Sequence, residues 1–200
     1  VMAKITPAMV ACRPDFNTQY QRIKPKMIYG KGLYLREVVK EDIDRAYELC
    51  VNDDVLKYDG GYTSFASKEY IKENYKYFQM KSKKNYAIVN TKGIMVGIIS
   101  YRKSNYVSDV YYIGICIGRK YWRMGYGENS IKAMLRYLFK NKKAHKVELE
   151  VVEDNIAAIN CYKKCGFIEE GKRRQKYYFK GIYLDTVLMG ILEEEYKEKE

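Results

Sequence analysis

The hydrophobic pattern becomes regular at Leu33 and persists to about residue 190. Leu33, Leu35 and Val38 predict a short strand running into a helix at about 40–51, with Ile43, Ala46, Tyr47 and Cys50 on one face. Residues 52–65 are turn-rich, and Ser67 is placed to cap a second helix over about 68–81, where Tyr70, Ile71, Asn74, Tyr77 and Phe78 recur at helical spacing. The apolar runs 86–89 and 94–101 flank Asn90-Thr91-Lys92-Gly93 and predict a hairpin; a third run at 110–117 completes an antiparallel meander. Ile131, Met134, Leu135, Leu138 and Phe139 follow at i, i+3, i+4, i+7 and i+8, the signature of an amphipathic helix. Val147, Leu149 and Val151 predict a strand, and 155–164 a helix ended by Gly166. The runs 172–179 and 182–189 predict a hairpin turning at Lys180-Gly181. The order β-αα-βββ-α-β-α-ββ describes an α+β fold, with a mostly antiparallel central sheet of about seven strands flanked by about four helices.

The first 26 residues lack this order. They carry all three prolines, show no period and end just before Met27, so they read as an unpatterned extension ahead of one domain spanning 27–200. No apolar core of about 7–15 residues with a cleavage site is present, and no run of about 18 apolar residues, so neither a signal peptide nor a membrane partner is expected. Five cysteines without a CxxC pair argue against a disulfide framework and point to a reducing compartment, hence a cytoplasmic location. A single histidine, His145, and sulfurs without ligand spacing leave no expected metal site. The net charge of +12 raises a nucleic-acid partner, but lysines and acids are interspersed, and the extension concentrates Lys4, Arg13, Arg22, Lys24 and Lys26 against Asp15 alone. No direct nucleic-acid binding is expected from that distribution.

The chemistry concentrates after the third strand of the meander. A strand that enters a glycine-bearing loop and then a helix offers backbone N–H groups and the positive end of a helix dipole to phosphate oxygens. Gly125 and Gly127 let the main chain approach closely. An ordinary turn fits that pattern too, so the flanking segments decide. Ile113-Gly114-Ile115-Cys116-Ile117-Gly118, then Tyr121-Trp122-Arg123-Met124-Gly125-Tyr126-Gly127, then the run from Asn155 through Ala158 and Tyr162 to Gly166-Phe167 resemble the GNAT superfamily of N-acetyltransferases. The likeness covers about 33–190 and is strongest to the ribosomal-protein-alanine and polyamine acetyltransferase branch. The last segment matches the family pattern Asn-x-x-Ala-x-x-x-Tyr-x-x-x-Gly-Phe at every fixed position.

The resemblance implies acetyl-CoA as co-substrate, with no metal. It implies that the loop of Trp122, Arg123, Met124, Gly125, Tyr126 and Gly127, with Glu128, holds the pyrophosphate through N–H groups. Ile115 and Ile117 would pair their backbone with pantetheine like an added strand, beside Cys116, whose neighbourhood would polarise the thioester carbonyl. Asn155 and Ala158 would line the pantetheine arm, and Tyr162 would supply a proton to the leaving thiolate. Many relatives place a glutamate two residues before the glycine of this strand, where Tyr112 stands here; Tyr112 and Asp109 are therefore the candidates for the amine's proton acceptor.

The acceptor expected from this reading is a primary amine at a peptide or protein amino terminus, because an α-amino group of pKa about 8 loses its proton near neutral pH more readily than a lysine-like amine of pKa about 10.4. A polyamine or an aminoglycoside-type drug is the alternative, favoured by Asp53, Asp54 and Asp59 in the loop expected to cover the acceptor. A different class, a non-catalytic acyl-CoA sensor or ribosome-associated module, rests on Tyr112 and the basic surface. A homodimer is compatible with all of these.

Overall fold

The computed structural model describes residues 27–58, 67–73 and 83–196. A three-residue strand, β1 (Ile28–Gly30), opens the sheet ahead of β2 (Leu33–Glu37), and adds an eighth strand to the about seven predicted. It is too short for alternation to reveal. After a single 3-10 turn come α1 (Ile43–Cys50), α2 (Asp53–Leu56) and α3 (Lys68–Glu73). The meander β3 (Lys83–Asn90), β4 (Met95–Lys103) and β5 (Val110–Ile117) follows, then α4 (Tyr126–Arg136), β6 (Lys146–Val152), α5 (Ile156–Lys164), β7 (Ile168–Phe179) and β8 (Ile182–Leu192). The spatial order is β1-β2-β3-β4-β5-β6-β8-β7. The extension 1–26, Asp59 and the predicted helix beyond residue 73 lie outside the described residues.

Local chemistry explains the boundaries. The side-chain oxygen of Asn90 accepts the N–H groups of Lys92 and Ile94, both at 3.0 Å, which closes the β3–β4 turn. Ser67 caps α3 by accepting the N–H of Tyr70 at 3.2 Å, as predicted, and Asp44 of α1 holds α3 through Lys68 and Lys72. Part of the turn-rich stretch is in fact helical: Asn52 accepts the N–H of Asp54 and starts α2. The long amphipathic helix widens into a π-helical turn over Tyr137–Asn141, which lets Tyr137, Leu138 and Phe139 all be buried in succession.

The sheet is covered on both faces, so its inner strands read as continuous apolar runs. Tyr86 and Ile88 pack under α4 and α5 with Met134, Leu135 and Leu138, whereas Ala87 and Val89 pack under α1 with Ile43, Leu49 and Cys50. The α1 face differs slightly from the predicted one, because Leu49 is buried and Tyr47 only partly so. Each buried aliphatic side chain contributes roughly 1.5–3 kcal/mol relative to exposure.

The element that positions the site is a parting in this sheet. β5 pairs with β4 along its whole length, through Ile117 opposite Gly97. Its parallel pairing with β6 stops after three residue pairs, at Tyr112 opposite Glu148. From there β6 continues beside β8 to Val152, so β5 and β6 diverge and leave a wedge between them.

At the closed end of that wedge lies a cluster of tyrosines. Tyr101 stacks on Tyr86 at 6.0 Å and meets Tyr111 edge-on at 5.9 Å, with Tyr137 at 6.1 Å. Burial, reinforced by the neighbouring phenols, pushes the hydroxyls of Tyr86 and Tyr101 well above the usual tyrosine range. Because the folded value lies above the unfolded one, this contribution is complete below about pH 10 and is lost as pH rises toward the folded value. Stability from urea denaturation should therefore fall with pH above about 10. The slope should be shallower in a Tyr86→Phe Tyr101→Phe protein; an unchanged slope would place the alkaline lability elsewhere.

Candidate active site

The wedge opens into a cleft of about 1520 Å³, which runs from the start of α1 past β5 to the first turns of α4 and α5. That exceeds the roughly 300–1,000 Å³ of ordinary small-molecule pockets and suits an extended ligand. Among the described residues, no strand pairs with the wedge side of β5 beyond Tyr112. Ile115, Cys116 and Ile117 line the cleft there, as expected for a backbone edge that an extended ligand arm can join.

The loop after β5 is built to present amides. Gly118, at the strand's end, sits where a Cβ would lie 2.3 Å from Leu49 Cδ2, so α1 can approach the loop only because this residue is glycine. The Trp122 indole N–H donates to the Ile117 carbonyl at 2.7 Å, and the Arg119 guanidinium lies over its ring at 5.5 Å. Trp122 thereby ties the loop to the strand, a role that the sequence does not disclose. It also occupies the Ile117 carbonyl that the sequence assigned to pantetheine. Arg123 and Gly125 both take positive φ, 61° and 81°, and Gly125 caps α4 in the left-handed conformation that favours glycine. The amides of Tyr126 and Gly127 open α4, where no carbonyl inside the helix can accept them. Arg119, Lys120 and Arg123 line an adjoining recess with Arg45, so the helix dipole and these cations reinforce each other toward an anion.

At the other wall, the side-chain oxygen of Asn155 accepts the N–H of Ala158 at 3.2 Å and caps α5, which leaves the Asn155 amide group as its donor toward the cleft. Tyr162 lines the cleft from the same helix, is 8% exposed, and meets Phe167 edge-on at 5.9 Å. Both the packing and the cleft-lining reading of Tyr162 therefore hold at once. Glu128 lies in the first turn of α4, and its carboxylate takes the Lys132 ammonium at 2.5 Å, a contact that raises the lysine's pKa.

Three predicted site residues stand elsewhere. Met124 is 61% exposed on the outside of the loop. Asp109 sits in the turn before β5 at φ 60°, with its carboxylate on Lys103 at 3.2 Å and its carbonyl accepting the His145 N–H. Tyr112 belongs to the last residue pair before the strands part, and Arg102 lies 4.6 Å over its ring. Neither proton-acceptor candidate lines the cleft: β5 is still paired with β6 at Tyr112, and Asp109 lies one residue before that ladder begins. Asp53 and Asp54 are also spoken for, by Lys180 and Arg119.

Besides the expected Glu128, two carboxylates that sequence reasoning missed line the cleft. Glu150 of β6 accepts the hydroxyl of the buried Thr186 at 2.5 Å and pairs with Arg173 at 3.2 Å; Asp154 follows at the strand's end. The signal was available in β6, where Val147, Leu149 and Val151 take the core face and alternation puts Glu150 on the opposite one. Among the described residues, no group of three histidine, cysteine or acidic side chains could hold a metal, and no helix is long and apolar enough to cross a membrane.

Residues 32–168 match the sequence model of the acetyltransferase (GNAT) domain. Spermidine N(1)-acetyltransferase of Vibrio cholerae is 25% identical over 166 residues, covering 82% of this chain and 95% of the relative. The Escherichia coli K12 enzyme of the same name is 25% identical, covering 81% and 87%. Among solved structures, the Vibrio cholerae spermidine N-acetyltransferase in complex with CoA and spermine superposes with a TM-score of 0.77 at 24% identity, over 83% of this chain and 98% of that one. That likeness establishes the fold.

The glycines of the loop provide a test. A Cβ on Gly127 would meet nothing nearer than Cys161 Sγ at 3.9 Å, so Gly127→Val fits the folded protein while projecting into the cleft. Calorimetry should show coenzyme A affinity falling by roughly tenfold or more, about 1.4 kcal/mol, with the melting temperature nearly unchanged. Unaltered affinity would reduce the loop to a turn.

Proposed function

This chain belongs to the GNAT family of acetyltransferases and is an acetyl-CoA-dependent N-acetyltransferase, and we propose that its acceptor is the primary amine of a polyamine. The observation that carries the proposal is Glu150, a carboxylate presented to the cleft from β6 where the strands have parted. With Asp154, which Lys57 meets at 3.7 Å, it puts two carboxylates on the β6 side of the cleft in a chain of net charge +12, and a flexible polycation can compete for both. The names of the curated relatives point the same way, so the polyamine stands ahead of the peptide or protein amino terminus favoured by the sequence alone.

In this reading the opening amides of α4 and the cations of the adjoining recess take the coenzyme's phosphates, and the unpaired side of β5 holds its pantetheine arm. The Asn155 amide donates to that arm from the opposite wall. The acceptor amine gives up a proton to solvent water and attacks the thioester carbonyl, forming a C–N bond; the C–S bond then breaks and the thiolate takes a proton. Tyr162, buried beside the cleft, is the proposed donor of that proton. A phenol of pKa about 10 delivering to a thiolate whose acid has pKa about 8.5 is uphill, so delivery is coupled to the breaking of the bond. Glu150, held between Thr186 and Arg173, attracts the cationic acceptor and fixes its approach.

Release of coenzyme A thiol should be measured with spermidine, spermine, peptides and aminoglycosides as acceptors. Spermidine turnover is expected; turnover of peptide amino termini with none of spermidine overturns the proposal. Tyr162→Phe should lower kcat by about 10²–10⁴-fold with coenzyme affinity retained, whereas a loss under about threefold assigns Tyr162 to packing. Glu150→Gln should raise KM for spermidine by roughly tenfold while leaving KM for acetyl-CoA in place. Equal effects on both would make Glu150 a fold residue.

A further inference from the structure

Cys50 and Cys116 are 66 positions apart in sequence, yet their sulfurs lie 3.0 Å from each other. Cys50 is buried at the carboxyl end of α1, and Cys116 is half-buried on β5, in the stretch that faces the open wedge. We infer that these two cysteines form an oxidisable dithiol site, which low-molecular-weight disulfides convert to an internal disulfide through the cleft.

Geometry and access carry the inference. An S–S bond is about 2.05 Å long, so the sulfurs need approach by only about 1 Å, and they do so between two elements already packed in one core. Both cysteines line the cleft, with Cys116 half-buried and Cys50 buried, so Cys116 is the more accessible of the two. The order of events follows. The Cys116 thiolate attacks one sulfur of a small disulfide, forming a mixed disulfide and expelling one thiolate. The Cys50 thiolate then attacks the Cys116 sulfur and expels the second. The dithiol loses two electrons and two protons, and the reagent leaves as two thiols. Nothing else is consumed.

The link has a mechanical consequence. It fastens the end of α1, from which Val55 and Tyr58 continue along the cleft wall, to the part of β5 that lines the cleft. A reacting geometry displaced by about 1 Å can lose about 10²-fold in rate. The effect on turnover rests on the acetyltransferase reading; the oxidation itself does not.

Reduced protein is first assayed for thiol release with spermidine, which tests the polyamine-acceptor reading alone. The same protein is then treated with bis(2-hydroxyethyl) disulfide, digested without reduction and mapped by mass spectrometry. Expected are a peptide pair joined through Cys50 and Cys116, turnover lowered by roughly tenfold to a hundredfold, and recovery with dithiothreitol. In Cys50→Ala, or Cys50→Ser, the second step is removed: a mercaptoethanol adduct should persist on Cys116, with no internal link. Both thiols unmodified in the wild type, a link through Cys12, Cys161 or Cys165 instead, or a stable adduct on wild-type Cys116 would each overturn the site. Full turnover with the link in place would overturn its action on the cleft.

Discussion

The rest of the structure depends on the limited pairing between β5 and β6. Two parallel strands that begin in register, at Val110 opposite Lys146, separate after Tyr112 opposite Glu148, while each keeps its other neighbour. A separated strand leaves backbone donors and acceptors without a ladder, which costs free energy unless water or a ligand meets them. The protein accepts that cost on the facing edges of β5 and β6 and keeps it local. Full pairing with β4 and two apolar cores, one on each face, hold β5 rigid while its edge stays open.

Everything in the candidate site is arranged around that opening. Trp122 clasps the end of β5, so the left-handed turn at Gly125 and the first amides of α4 sit at a fixed height above the edge. Gly118 lets α1 close against the same loop. From the opposite wall α5, capped by Asn155, brings Tyr162 to the cleft with its ring locked against Phe167. A set of helix-opening amides, a strand edge and a phenol thus come from three elements, each positioned by an interaction that is itself outside the chemistry.

Charge is sorted on the same scale. The chain is strongly basic, yet its cations near the loop line the recess beside the start of α4, and the carboxylates Glu150 and Asp154 are on the β6 side. Such a division suits a polyanionic coenzyme entering along one direction and a cationic acceptor along another, since each meets complementary potential. The thiols of Cys50 and Cys116 lie where the α1 core meets the open strand, so a covalent change there acts on the cleft wall without touching either charged region.

Much was legible in the sequence because it depends on local order. The meander, the Ser67 cap, the amphipathic α4 and the loop at Gly125 follow from periodicity, capping chemistry and backbone conformation, all of which act over a few residues. The family likeness extended that reading to most of the positions found lining the cleft. What the sequence could not decide was which distant residues share a space. Counting along β5 put Tyr112 and Asp109 near the chemistry, but the strand parts from β6 only beyond them, and where a ladder ends is set by two core faces rather than by either strand. Glu150 reaches the cleft from another strand, Trp122 turns back on Ile117, and Cys50 meets Cys116 across 66 positions. Alternation could say which face Glu150 takes, but only the packing of β6 between β5 and β8 makes that face a wall of the cleft.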